Sequence, residues 1–276
     1  PQILFGPGQR SKLGSVARAF GKNALVISGA RSLSESGEKE KLLAQIEQSG
    51  IEITEYQFSG EPSPEIVDDL VSKNLKREID LVIAIGGGSV IDAGKAVSAM
   101  LTIGEKVTDY LEIVGTKTHP GTKIPFIAIP TTSGTGSEAS ANAVLSRTGT
   151  EGFKRSLRHP NFVPDVAIVD PELTIFCPPR ITAACGLDAL TQLLESYVSP
   201  KASPFTDALV ESALPLIRDN LLLAASGDGE NIKVRSALAY ASMVSGITLA
   251  NAGLGVIHGI ASAVGGFFPV PHGVIC

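Results

Sequence analysis

The sequence predicts an α/β domain built on a parallel sheet, followed by an all-α domain. Three observations lead there. Short apolar runs bounded by turn residues alternate with amphipathic stretches through the first 170 of 276 residues. Glycine-rich or hydroxyl-rich segments directly follow two of those runs. From about Pro178 the strand-like runs stop and long helical periodicity takes over. The expected division is therefore 1–177 and 178–276.

The strand candidates are 24–27, 53–56, 81–85, 126–129 and 166–169, mostly short apolar runs of the kind buried in a parallel sheet. Glu38 to Ser49 carries Leu42, Leu43 and Ile46 among charged neighbours, the spacing of one helical face. Pro64 to Lys76 reads as a helix capped by Ser63, with Pro64 at the first helical position, where no backbone N–H is needed. Further on, Thr182 to Tyr197, Ser203 to Asn220 and Asn231 to about Ala250 read as helices, and Gly253 and Gly255 break the pattern before His258.

Composition removes several function classes. With 43% hydrophobic residues, 18% charged residues and a net charge of -5, the chain should fold, and it has no broad basic surface for a nucleic acid. Cys177, Cys185 and Cys276 are odd in number and form no CxxC, which suits free thiols in the cytoplasm. The opening Pro1 to Gly6 lacks the basic-then-apolar pattern of a secretory leader. After Arg235 no Asp, Glu, Lys or Arg follows as far as Cys276, a run of forty-one residues from 236 to 276. Such a run could hold membrane helices, but serines, Asn251, His258, His272 and repeated glycines interrupt it. The reading preferred is buried helices, covered by further sequence or a second subunit, with no membrane partner.

Two segments have the chemistry of a nucleotide site. Gly86-Gly87-Gly88-Ser89, leading to Asp92 and Lys95, follows the strand ending at Ile85. Glycines there let a diphosphate approach the backbone, and the following helix offers free amides and a positive dipole end. A tight turn with no ligand fits the same residues. Pro130-Thr131-Thr132-Ser133-Gly134-Thr135-Gly136-Ser137-Glu138 also follows a strand and presents hydroxyls suited to a ribose and a diphosphate, although a plain polar loop has the same composition. Asp188, His258 and His272 would all be satisfied by a divalent metal; an N-cap aspartate and two hydrogen-bonded core histidines is the alternative. His119 and His159, in proline-flanked loops, are expected at the surface.

Those motifs, together with Asp170-Pro171-Glu172-Leu173, Gly186-Leu187-Asp188-Ala189-Leu190-Thr191, His258-Gly259 and Pro271-His272-Gly273, occur in the order seen in iron-containing alcohol dehydrogenases, which the whole chain resembles. The resemblance implies a Rossmann-like dinucleotide-binding domain and an all-α domain of the dehydroquinate synthase-like superfamily. It also implies a catalytic Fe2+ or Zn2+ between them, and hydride transfer between NAD or NADP and a small alcohol or aldehyde. By the same carry-over Gly87, Gly88, Ser89 and Asp92 approach the diphosphate, Thr131, Thr132, Thr135, Ser137 and Lys154 line the nucleotide site, and Asp188, His258 and His272 hold the metal.

Three departures from the family pattern bear on the site. Gln192 stands where a fourth ligand, a histidine one turn after the aspartate, is usual, and is the candidate fourth ligand here, binding weakly, through water or not at all; Ser262 stands where a histidine relays a proton, and is the candidate for that role here. Family members also usually continue for about another hundred residues of helices, a normal complement for such a domain, so a truncated helical domain is expected. Gly29 occupies a position where many relatives carry the aspartate that holds the ribose 2'-hydroxyl of NAD, and Arg31 lies close enough in sequence to pair with a 2'-phosphate. NADP is therefore the expected preference. A homo-oligomer, in its simplest form a dimer, is expected. The rival readings are a glycerol dehydrogenase-like or maleylacetate reductase-like relative, a dehydroquinate synthase-like lyase, and a metal-free remnant of the fold.

Overall fold

The computed structural model describes residues 1–29 and 36–276. Among the described residues, strands β1 (Gln2–Phe5), β2 (Asn23–Gly29), β3 (Glu52–Phe58), β4 (Leu81–Gly86), β5 (Phe126–Pro130) and β8 (Val166–Val169) form one sheet in the order β1-β8-β5-β4-β2-β3. Every neighbouring pair is parallel. The central strands are apolar on both faces because helices cover both. Leu25 and Ile27 of β2, with Val82 and Ala84 of β4, pack with α3 (Pro64–Asn74) and α4 (Gly88–Met100). The alternate residues Ala24, Val26, Leu81 and Ile83 face α1 (Leu13–Arg18) and α2 (Glu38–Gln48). From β2 the chain places β3 on one side and β4 on the other, so the carboxyl ends of β2 and β4 open a crevice at the point where strand order reverses.

All five strand candidates are present. Ser63 caps α3 as read, its hydroxyl accepting from the Ile66 amide at 3.3 Å. The sequence reading did not anticipate helix α1, edge strand β1, or an antiparallel hairpin of β6 (Asn142–Arg147) and β7 (Phe153–Arg158).

After β8 come α5 (Pro179–Tyr197), α6 (Pro204–Ser226), α7 (Ile232–Ala252), α8 (Val256–Phe267) and the single turn α9 (His272–Ile275). Leu193, Val210, Ile217, Leu238 and Val244 form the core shared by α5, α6 and α7. Arg235 of α7 is buried and donates to the Gly229 carbonyl (2.5 Å), the Cys177 carbonyl (3.3 Å) and the Thr182 hydroxyl (3.0 Å), fixing the turn into α5. The charge-free stretch divides in two. Helix α7 is largely covered within the chain, whereas Val256, Ile260, Phe267 and Phe268 on and beside α8 are exposed. No single described helix is long and apolar enough to cross a membrane; α7 and α8 pass such a test only together, bent by 100°.

One expectation is corrected. His119 is buried, because its ring packs edge-on against Phe162 and Tyr110 and its Nδ1 accepts from the Gly121 amide at 3.0 Å. His159, also expected at the surface, is half-buried, its ring tilted against Phe162.

Candidate functional site

A cleft of about 1100 Å³ runs from the carboxyl ends of β2, β4 and β5 to the helices, large enough for a dinucleotide and a small substrate. At the sheet end, α4 begins on Gly88 with Gly87 as its N-cap and no side chain capping it, which leaves first-turn amides to face a ligand. Glycine is required at 88 because a Cβ there would lie 2.5 Å from Thr135 Oγ1.

The hydroxyl-rich loop is held from both sides. Beneath it, fully buried Lys95 donates to the carbonyls of Ser137 (2.8 Å), Ser140 (3.0 Å) and Asn142 (2.8 Å). Burial pushes Lys95 down to about 8. Above it, Gly136, at φ +60, meets Gly246 of α7 so closely that a Cβ on Gly246 would sit 2.0 Å from the Gly136 carbonyl oxygen. The nucleotide loop is thereby pressed onto the helical half.

Gly29, Gly87, Gly88, Ser89, Thr131, Thr132, Thr135, Ser137 and Lys154 all line this cleft. Arg31 lies outside the described residues. Lys154 Nζ is paired with Glu61 at 2.9 Å. Asp92 lines the cleft as well, but its two oxygens are engaged, one by the Ser137 hydroxyl and the other by the Val144 amide at 3.1 Å. In the structure Asp92 ties the loop to β6 while lining the cleft.

At the helical end Asp188, Gln192, His258, Ser262 and His272 line the same cleft. Asp188 Oδ1 is 3.2 Å from His258 Nε2 and 3.8 Å from His272 Nε2. Burial would raise the Asp188 carboxyl, but the hydrogen bond from His258 and the nearby His272 hold it below the usual range. Burial likewise opposes a charge on His258, yet its bonds to Asp188 and Cys276 outweigh burial and lift it to about 10. Burial keeps His272 below its ordinary value. A buried carboxylate and two imidazoles with their donor atoms within 4.8 Å of one another are the donor types a divalent ion takes, and the residues fit such an ion.

Gln192 is partly engaged elsewhere. Its Oε1 accepts from Ser245 Oγ at 3.1 Å and its amide hydrogen-bonds Asp188. The Ser245 hydroxyl lies closer to the Ser242 carbonyl, at 2.7 Å, so the Gln192 oxygen is only partly engaged, and Gln192 both touches Asp188 and lines the cleft beside it.

Glu195 was missed by the sequence reading. It accepts from His258 Nδ1 at 2.7 Å and from the Ile257 amide at 2.6 Å, which leaves His258 Nε2 aimed at Asp188. A carboxylate behind an imidazole fixes its tautomer and raises its basicity toward a metal. The signal available was its position seven residues after Asp188, on the same helix face. Gly255 makes the approach possible, since a Cβ there would meet Glu195 Oε1 at 2.8 Å.

Residues 1–171 match the family model for iron-containing alcohol dehydrogenase, and residues 182–276 match the model for the C-terminal part of that family. The NADPH-dependent butanol dehydrogenase of Clostridium saccharobutylicum is 37% identical over 273 residues, which cover 98% of this chain and 68% of that protein. The NAD-dependent methanol dehydrogenase of Bacillus methanolicus is 33% identical, over 99% of this chain and 71% of that protein. An archaeal halo-thermophilic alcohol dehydrogenase from a Red Sea brine pool superposes with a TM-score of 0.93 at 29% identity, over 99% of this chain and 70% of that one.

Proposed function

This chain belongs to the iron-containing alcohol dehydrogenase family, and from that premise we propose that it passes a hydride between NAD(P) and a small alcohol or aldehyde at Asp188, His258 and His272. The observation that carries the reading is the convergence of those three donors at one end of a cleft whose other end is the open N-terminus of α4. When bound, a divalent ion supplies a Lewis acid for the substrate oxygen, and the nicotinamide carries the hydride.

The remaining work falls to the chain's own groups. The amides of Gly88 and Ser89 bind the diphosphate, and Thr131, Thr132, Thr135 and Ser137 orient the nucleotide. Glu195 holds the His258 proton at Nδ1, so that Nε2 is free to ligate. The Ser262 hydroxyl, one helical turn from His258 and within the cleft, moves the substrate proton toward solvent. In this reading 1–177 carries the coenzyme and 178–276 the metal. Following nicotinamide absorbance with a panel of alcohols and aldehydes tests the activity. Net turnover of a simple alcohol separates it from a lyase that returns its hydride and from an inert remnant; no turnover on any member of the panel would sink it.

Coenzyme choice follows from Gly29, which lines the cleft and brings no acidic side chain to the end of β2. Without a carboxylate to repel a 2'-phosphate, NADPH is expected to give the higher kcat/KM. The butanol dehydrogenase and the methanol dehydrogenase differ in this property by name, so the comparison alone does not decide it. A tenfold or larger advantage for NADH, about 1.4 kcal/mol in favour of the wrong coenzyme, would overturn the reading.

We also propose a homo-oligomer, supported by exposed Val256, Ile260, Phe267 and Phe268. Light scattering should give a multiple of the chain mass, and a monodisperse monomer would contradict it.

A further inference from the structure

Among the described residues, the cluster around Asp188 contains a fourth donor. The Sγ of Cys276 lies 3.7 Å from His258 Nε2 and 3.7 Å from His272 Nε2, and the ligand atoms of Asp188, His258, His272 and Cys276 all fall within 4.8 Å of one another. Tetrahedral zinc, with arms of 2.0–2.3 Å to oxygen, nitrogen and sulfur, has ligand-to-ligand edges of about 3.4–3.6 Å. The four separations known here run from 3.2 to 3.8 Å. They lie close to those edges, and all six separations fall within 4.8 Å, so small shifts of the side chains would close the four donors around an ion.

The backbone explains how the thiol arrives. In α9 the Cys276 amide bonds the His272 carbonyl at 3.2 Å, so the two side chains, four residues apart, share one face of the turn. That turn lies flat on α5 because residue 273 is glycine; a Cβ there would be 2.6 Å from the Ala184 carbonyl oxygen. Gln192, which occupies the sequence position of the absent imidazole, has its amide oxygen 3.1 Å from Ser245 Oγ, and an amide oxygen is a weaker donor to a metal than a thiolate.

We infer that Cys276 is the fourth ligand, giving the ion a carboxylate, two imidazoles and a thiolate. The inference rests on the metal reading above and extends it. As the sulfur–metal bond forms, the thiol proton leaves to solvent. A thiolate is a soft donor, so this set selects zinc over ferrous iron more strongly than one carboxylate with imidazoles alone. Zinc so held still admits a substrate oxygen by expanding to five-coordinate.

Cobalt(II) reports the donor set without reference to turnover, because a thiolate on cobalt adds an intense near-ultraviolet charge-transfer band that oxygen and nitrogen donors do not give. The full-length protein is stripped with a chelator and loaded with equimolar cobalt. The band is expected in the wild type, in Cys177→Ser and in Cys185→Ser, and should be lost in Cys276→Ser. That variant should keep the weaker visible bands and hold cobalt about tenfold or more less tightly. Circular dichroism checks that it is folded, and the wild-type spectrum is informative even if it is not. Visible bands with no charge-transfer band in the wild type, or a charge-transfer band surviving in Cys276→Ser, overturn the inference and leave the ion on the other three residues. Cobalt binding that is absent, or unaffected by His272→Ala, overturns the three-ligand site and the inference together.

Discussion

Replacing His272 by alanine is expected to lower metal affinity more than about a hundredfold, beyond what is lost when a residue that only hydrogen-bonds a ligand is changed, and to lower kcat/KM about a thousandfold, the loss of roughly 4 kcal/mol of Lewis-acid stabilisation. The reason is geometric. His272 Nε2 lies 3.8 Å from Asp188 Oδ1, and its removal takes away one of the two imidazoles, leaving the carboxylate, His258 and the inferred Cys276 thiolate to hold the ion with an open gap on one side. Glu195→Gln should act more gently, weakening metal binding about ten- to a hundredfold, because the amide still accepts from His258 Nδ1 but carries no charge. Gln192→His should move the other way and tighten binding, since it offers an imidazole where the amide is engaged with Ser245 and Asp188. Metal titrations on the three proteins, each with its thermal midpoint, check the series. An unchanged metal affinity in His272→Ala would remove this residue from the site.

Gly246→Ala is expected to be strongly destabilising. Its methyl group would lie 2.0 Å from the carbonyl oxygen of Gly136, and that backbone is itself held at φ +60, so neither partner can yield cheaply. A cost of about 3 kcal/mol or more corresponds to a fall in Tm of roughly 6–12 °C for a chain of this size. Because Gly136 belongs to the loop carrying Thr135 and Ser137, KM for the coenzyme should rise in the same variant. Calorimetry and coenzyme kinetics together check it; an unaltered Tm would mean the two backbones do not meet as described.

The central strands were legible because a strand buried on both faces is a short apolar run between turn residues, as 81–85 is. The hairpin was not, because β6 and β7 alternate small, polar and apolar residues around a polar turn and read as loop. Edge strand β1 has only four residues, most of them exposed. Within the site, Asp188, His258 and His272 could be picked out by their motifs, and the structure brings them together. Glu195 was marked only by its seven-residue spacing from Asp188, and a glutamate on a helix looks like any solvated residue until the loop at Gly255 folds against it. Asp92 illustrates a further role: the motif located it at the cleft, but only the fold reveals that it also ties the loop to β6 through Ser137 and Val144. Cys276 read as one free thiol among three, and its position beside the histidines depends on a turn that sequence spacing does not disclose.

The most direct test of the account is to purify the protein without chelators, measure its metal content, strip it, and restore zinc or ferrous iron while following NAD(P)H with an alcohol substrate. Activity should fall with the metal and return with it, in proportion to the ion bound per chain. Full turnover in the metal-free protein would contradict it.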